Sequence, residues 1–132
     1  MATWSQVESA IKLLSAEQLN NTMWSTELHI DGTDRTQRVF VAYELVPPDM
    51  EFVKVSSPID SAGAIMDPGS VLQQFGSLTV GSLSYLQFSQ GGGMLFIGTS
   101  IPLWVLDLSN PHPFLLYMHV LAQAADMVKA KT

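Results

Sequence analysis

The feature that most constrains this sequence is a long stretch without charge. From Pro68 to Leu106, 39 consecutive residues include no Asp, Glu, Lys, Arg or His. In typical soluble domains about a quarter of all residues are charged, and most of those lie on the surface. Only 14% of this chain is charged. We therefore expect the uncharged stretch to be buried or to be covered by a partner.

Net charge is concentrated in the first half of the chain. The sequence has 12 acidic and 6 basic residues, a net charge of −6, and residues 1–67 account for all of it. An acidic surface repels phosphate groups, so we expect no binding to nucleic acid or to an anionic membrane. The sequence contains no cysteine, which excludes disulfides, thiolate nucleophiles and Cys-ligated zinc.

Length and composition predict one domain over residues 1–132. Hydrophobic residues make up 47% of the chain, enough for a core that offsets the entropy of ordering. No apolar run approaches the roughly 20 residues of a membrane-spanning helix. The first residues also lack the basic segment and the continuous apolar run of an export signal. We expect a cytoplasmic protein without membrane insertion.

The spacing of apolar residues predicts an α+β fold with an antiparallel five-stranded sheet, in the order α-β-β-β-α-β-β-α. A capping-box pattern at Thr3 and Gln6 precedes a helix over residues 4–15. Period-two alternation predicts strands over residues 25–31, 36–45, 50–56, 83–88 and 94–99. Capping residues predict a short helix near residues 67–76, and a last helix covers residues 114–129.

The second predicted hairpin is apolar on both faces. Alternate residues are apolar on one face, and the residues between them, which include Leu86, Phe88 and Phe96, are apolar on the other. Three short helices can cover one face of a five-stranded sheet but hardly two. We expect the second face to form a homodimer or to hold a partner. The predicted contact residues are Leu86, Phe88, Phe96 and Trp104.

The three histidines leave an alternative open, a small-molecule or hydrolytic site in a histidine-lined pocket. His29 alternates with Asp31 on the polar side of the first predicted strand, a spacing that suits a base and its orienting carboxylate. His112, His119 and Asp126 recur every seven residues on the last helix. Two helical turns separate such side chains by about 10 Å, which is too far for one metal ion. Solvated surfaces explain these residues better, so we expect no catalytic residue, no metal and no cofactor.

Motifs for nucleophilic catalysis and phosphate binding are missing from the sequence. The run Gly81-Ser-Leu-Ser-Tyr does not match the G-x-S-x-G elbow of serine hydrolases. The glycine triplet at residues 91–93 lacks the G-K-[ST] ending and the following helix of a phosphate loop. Because predicted strands flank the triplet, we expect a hairpin turn there.

Several segments together carry a resemblance that covers nearly the whole chain. They are the N-terminal helix, RTQRVFVAYEL, VKVSSPI, SVLQQFGSL, SLSYLQFSQGGGMLFIGTSIPL and LAQAADMVK. In this order they resemble the YbjN family of bacterial sensory transduction regulators, which share the fold of type III secretion chaperones. The resemblance implies a small acidic protein, often dimeric, that binds polypeptide. We therefore expect a non-enzymatic protein-binding module, chaperone-like or regulatory, that acts as a homodimer on an unknown polypeptide partner.

Overall fold

The computed structural model of the chain describes residues 2–59, 82–87 and 93–130. Within these residues the fold is α+β, with helices on an antiparallel sheet, which confirms the predicted class. The predicted helix near residues 67–76 lies outside the described residues. Phe88 and the first two glycines of the triplet also lie outside them.

The sheet contains the five predicted strands and one more. Its strands are β1 (Glu17–Asn20), β2 (Met23–His29), β3 (Thr36–Val46), β4 (Met50–Pro58), β5 (Ser82–Gln87) and β6 (Gly93–Pro102). They pair antiparallel in the order β1-β2-β3-β4-β6-β5. The expectation of five strands was wrong because β1 is exposed along its whole length and so has no alternating apolar pattern.

The first helix, α1 (Trp4–Ile11), begins at the predicted capping box. The Gln6 backbone N–H donates to Thr3 Oγ1 over 3.2 Å, and the Thr3 backbone N–H donates to Gln6 Oε1 over 3.0 Å. The helix was predicted to continue to residue 15. Instead, residues 12–14 form a 3-10 turn, and Ser15 ends it with a φ of 55°.

Both helices pack on the same face of the sheet, which we call the closed face. The second helix, α2 (His112–Ala130), buries Phe114, Met118, Leu121, Ala122, Ala125 and Val128 in the core. Helix α1 adds Val7 and Ile11. The strands contribute Trp24, Leu28, Val39, Val41, Val53, Val55, Leu95 and Ile97. The alternation of these residues along each strand is the pattern that predicted the strands.

Polar bonds hold α2 against the turn between β2 and β3. The Arg35 guanidinium donates to both carboxylate oxygens of Asp126, over 3.1 and 2.8 Å. Gln123 Nε2 donates to Asp31 Oδ2 over 2.9 Å. Gly32 makes this turn possible with a φ of 77°, a conformation that glycine adopts without strain.

A small polar network is buried between β3 and β4. Gln37 Nε2 donates to Ser57 Oγ over 2.9 Å and also to the Pro58 carbonyl. Ser57 Oγ in turn donates to the Arg38 carbonyl over 2.6 Å. Because Gln37 and Ser57 are both buried, these bonds replace the water that the two side chains lose on folding.

Candidate functional site

The sheet face opposite the helices, which we call the open face, has neither described helix packed on it. Successive strand residues point to opposite faces, so the open face is built from the residues between the core positions. Among the described residues it includes Met23, Ser25, Phe40, Ala42, Phe52, Lys54, Ser56, Met94 and Phe96. This surface is therefore the place to look for a partner site.

A groove of about 280 Å³ lies on the open face. It is lined by Met23, Phe40, Ala42, Lys54, Ser56, Pro58, Met94 and Phe96, all of them half-buried. Six of these eight side chains are apolar. The groove thus combines residues from four strands, β2, β3, β4 and β6, into one apolar surface.

The groove exists because small residues occupy its centre. In the register of the sheet, Phe40 pairs with Ser56, and Ser56 pairs with Gly98. A Cβ atom at Gly98 would lie 3.3 Å from Ser56 Cβ and 3.7 Å from Phe96 Cδ2. The absence of a side chain at Gly98 therefore keeps space open beside the Phe96 ring.

Lys54 is the one charged residue among those that line the groove. Its Nζ atom lies 5.6 Å from the centre of the Phe96 ring, within the range of a cation–π contact. The ammonium group therefore sits against an aromatic side chain while the remaining lining is neutral. A ligand of the groove would meet mainly apolar atoms and one positive charge.

Beyond the groove, aromatic side chains continue to the end of β6. Phe52 pairs in register with Pro102, and its ring lies edge-on to Trp104 with the ring centres 5.7 Å apart. Trp104 is 48% exposed, which is high for a side chain of this size. The Phe52–Trp104 pair therefore adds a second apolar contact point near the Phe52 end of β4.

Of the predicted contact residues, Phe96 and Trp104 are described with their side chains. Phe96 lines the groove, and Trp104 packs on Phe52, a residue of the same face. Leu86 pairs in register with Met94, and Phe88 lies outside the described residues. The uncharged stretch supplies β6, which alternates core residues with groove residues.

Sequence reasoning missed the groove residues Met23 and Phe40. The pattern that could have revealed Phe40 is the run VFVAY in β3, where the residues between the core valines are apolar as well. The groove as a whole could not be read from the sequence, because its residues belong to strands far apart along the chain.

The histidines of the alternative site have structural surroundings. His29 is exposed at the end of β2 and His112 is exposed at the start of α2, where its backbone N–H donates to Asn110 Oδ1. His119 is half-buried, with Nδ1 3.4 Å from the Leu115 carbonyl oxygen of its own helix. Among the described residues, no group of three or more His, Asp and Glu side chains is placed to hold a metal ion.

The carboxylates that the sequence placed beside these histidines have other partners. Asp31 accepts a hydrogen bond from Gln123, and Asp126 is bound by Arg35. The hydrogen bonds from Arg35 lower the pKa of Asp126 below its usual value of 3.8. Asp126 therefore acts as a fixed anion that anchors α2, and the structure does not join it to His119.

Two further pKa shifts arise from local hydrogen bonds outside the groove. Hydrogen bonds from the Ser109 hydroxyl and backbone lower the pKa of Asp107, in the segment that leads into α2. A hydrogen bond to Glu51 raises the pKa of Tyr43. These groups do not line the groove, so the shifts reflect local structure.

Comparisons with models of protein families, with curated proteins and with solved structures found no match to this chain. Within the described parts of the chain, neither helix has the length and apolar character needed to cross a membrane.

Proposed function

We propose that this protein is a non-enzymatic protein-binding module that holds a polypeptide segment on the open face of its sheet. The observation that carries the proposal is the apolar groove formed by residues from four strands. Contiguous exposed apolar surface of this kind is typical of a site that binds another protein.

The lining of the groove favours polypeptide over other ligands. Aromatic and methionine side chains are enriched where proteins bind one another, and this face presents Phe40, Phe96 and Met94. Trp104 and Phe52 extend the apolar surface past the groove, as a segment several residues long requires. We expect the bound segment to insert apolar side chains beside Phe96 and to place a polar or acidic group near Lys54.

The resemblance to the YbjN family and to secretion chaperones implies the same class of function. A homodimer and a cytoplasmic location belong to the same proposal. The alternative of a histidine-lined catalytic site is not favoured, since Asp31 and Asp126 are engaged by Gln123 and Arg35.

Binding of short peptides tests the proposed function. An array of peptides that vary in apolar content and spacing would identify a ligand, whose affinity is then measured by fluorescence polarisation. We expect Phe96→Glu to weaken binding at least tenfold, because the change puts a charge inside an apolar contact. Phe40→Ser, a milder change in the same groove, should weaken binding as well.

Leu13→Glu is the matched control, because Leu13 is 68% exposed and lies on the 3-10 turn after α1, away from the groove. It should bind the peptide as the wild type does. Circular dichroism would verify that each variant is folded. Unchanged affinity in folded Phe96→Glu and Phe40→Ser variants would contradict the proposal.

A further inference from the structure

Helix α2 has a second apolar stripe on the side away from the core. Leu116, Val120 and Met127 are 53%, 38% and 45% exposed, and Gln123 lies between them in the same row. These four positions, which we call the outer stripe, are spaced by four, three and four residues. This is the a/d spacing by which two helices pack side by side.

The outer stripe lacks the charges that normally keep an exposed helix face in water. From His112 to Ala125, α2 contains no Asp, Glu, Lys or Arg. The first charged residue after this run, Asp126, is buried against Arg35. A helix that is apolar on opposite sides is usually covered on both. The sheet covers one side of α2, and the exposed fractions show that the outer stripe is available on the other.

The spacing of the stripe selects a second copy of the same chain as its occupant. A two-fold symmetric contact requires a surface that is complementary to itself. The intervals four, three and four read the same in both directions, so an antiparallel pair places Leu116 opposite Met127 of the second copy and Val120 opposite Gln123. The amide of Gln123 already has a hydrogen-bond partner in Asp31, so it needs none across the contact.

Charge supports the same choice. Each chain carries a net charge of −6, so two copies repel one another wherever their acidic surfaces meet. The outer stripe is neutral, so a contact along it brings no like charges face to face. A strongly basic partner would instead be drawn to the acidic strands and turns of the first half.

We propose that α2 pairs antiparallel with α2 of a second copy along the outer stripe, which forms a homodimer and leaves the open face free. The inference concerns a surface distinct from the groove and does not depend on what the groove binds. An interface made mainly by one helix pair falls near the lower limit of about 1,000 Å² for specific contacts. The dimer should therefore dissociate on dilution.

Light scattering during gel filtration, over a series of protein concentrations, tests the pairing. The wild type should approach twice the 14.4 kDa mass of one chain at high concentration. The variant Leu116→Glu/Val120→Glu should remain at 14.4 kDa, because it places like charges in the contact. Leu13→Glu changes an equally exposed leucine outside the stripe and should dimerise as the wild type does.

Two results would overturn the dimer. One is a wild type that stays monomeric at the highest concentration, and the other is a folded Leu116→Glu/Val120→Glu variant that still dimerises. Circular dichroism distinguishes a loss of pairing from a loss of folding. Phe96→Glu, which alters the groove, should leave the dimer intact, so the result is separable from the test of peptide binding.

Introduced cysteines test the antiparallel direction, and they also serve if the glutamate variant fails to fold. The natural chain has no cysteine. In an antiparallel pair, residue 116 of one copy lies beside residue 127 of the other, but about 16 Å along the helix axis from residue 116 of the other. Disulfides form only when the two Cα atoms lie within about 7 Å.

Under mild oxidation, a mixture of the Leu116→Cys and Met127→Cys variants should give a covalent dimer that joins one of each. Either variant alone should remain monomeric on a denaturing gel, as should Leu13→Cys. A covalent dimer of Leu116→Cys alone would overturn the antiparallel direction. A mixture that gives no covalent dimer would overturn the contact itself.

Discussion

At the scale of single residues, the buried pair Gln37 and Ser57 shows how the sheet keeps polar groups in its interior. Ser57 Oγ accepts from Gln37 and donates to the Arg38 carbonyl, so it joins β3 to β4 by side-chain bonds in addition to the backbone ladder. A buried polar group that loses its partner costs about 1–3 kcal/mol. Ser57 thus contributes more through its hydroxyl than through its size.

We predict that Ser57→Ala lowers the free energy of unfolding by about 2 kcal/mol, since it leaves the Arg38 carbonyl without this donor and Gln37 with one partner fewer. Urea denaturation followed by circular dichroism measures the change. Ser100→Ala, at an exposed position of β6, should change stability by less than about 0.5 kcal/mol. Equal effects of the two substitutions would contradict a role for the network.

Asp126 makes stability depend on pH in a defined direction. Arg35 lowers the pKa of Asp126 in the folded protein, so its contribution to stability is complete above the ordinary carboxyl value of 3.8. The contribution is lost as the pH falls through the lower folded pKa. We predict that the stability difference between the wild type and Asp126→Asn is largest near neutral pH and shrinks in acid.

Urea midpoints of the two proteins, measured from neutral pH down to the acid limit of folding, check this prediction. Two midpoint curves that run parallel would show that the Arg35 contact contributes nothing through the charge of Asp126.

At the scale of elements, α1 depends on its first turn, because it has only eight α-helical residues. Short helices have little stability of their own, so the capping box at Thr3 and Gln6 carries weight. We predict that Thr3→Ala costs about 1 kcal/mol of stability. Thr3→Ser keeps the oxygen acceptor and should stay close to the wild type in the same urea experiment. A wild-type midpoint for Thr3→Ala would contradict this account.

Most elements follow from the sequence, and the exceptions have physical reasons. The capping box gave the start of α1, and period-two alternation gave the five strands that have one buried face. Strand β1 escaped because Glu17, Gln18 and Asn20 are polar and Leu19 is exposed. The pairing of β4 with β6 is a long-range contact that local pattern does not encode.

The candidate site was predicted less completely than the fold. Phe96 and Trp104 stood out as apolar residues in an uncharged stretch, and they do lie on the open face or against it. Phe40 and Met23 joined them only when the sheet brought β2 and β3 beside β6 through β4. The outer stripe of α2 was hidden in the sequence because the helix is apolar on two sides, which obscures the period of either one.

At the scale of the whole molecule, charge and apolar surface are separated. The net negative charge comes from the first half of the chain, and the open face offers the groove with Lys54 as its one charged lining residue. We predict that the affinity for a groove-binding peptide changes by less than about threefold between low and high salt, because apolar burial supplies the binding. Polarisation titrations at the two ionic strengths measure this. An affinity that collapses in salt would point to the acidic strands.

The position of α2 along the chain has a consequence for synthesis. Strands β2 to β4 pair with their sequence neighbours, so this meander can form early. The core residue Phe114 on α2 follows Val55 by about 60 residues, which a ribosome adds in roughly 3–12 s. During that interval α2 cannot cover the valines of the nascent sheet. We therefore expect chains that stop before α2 to aggregate, and chains that include it to stay dispersed.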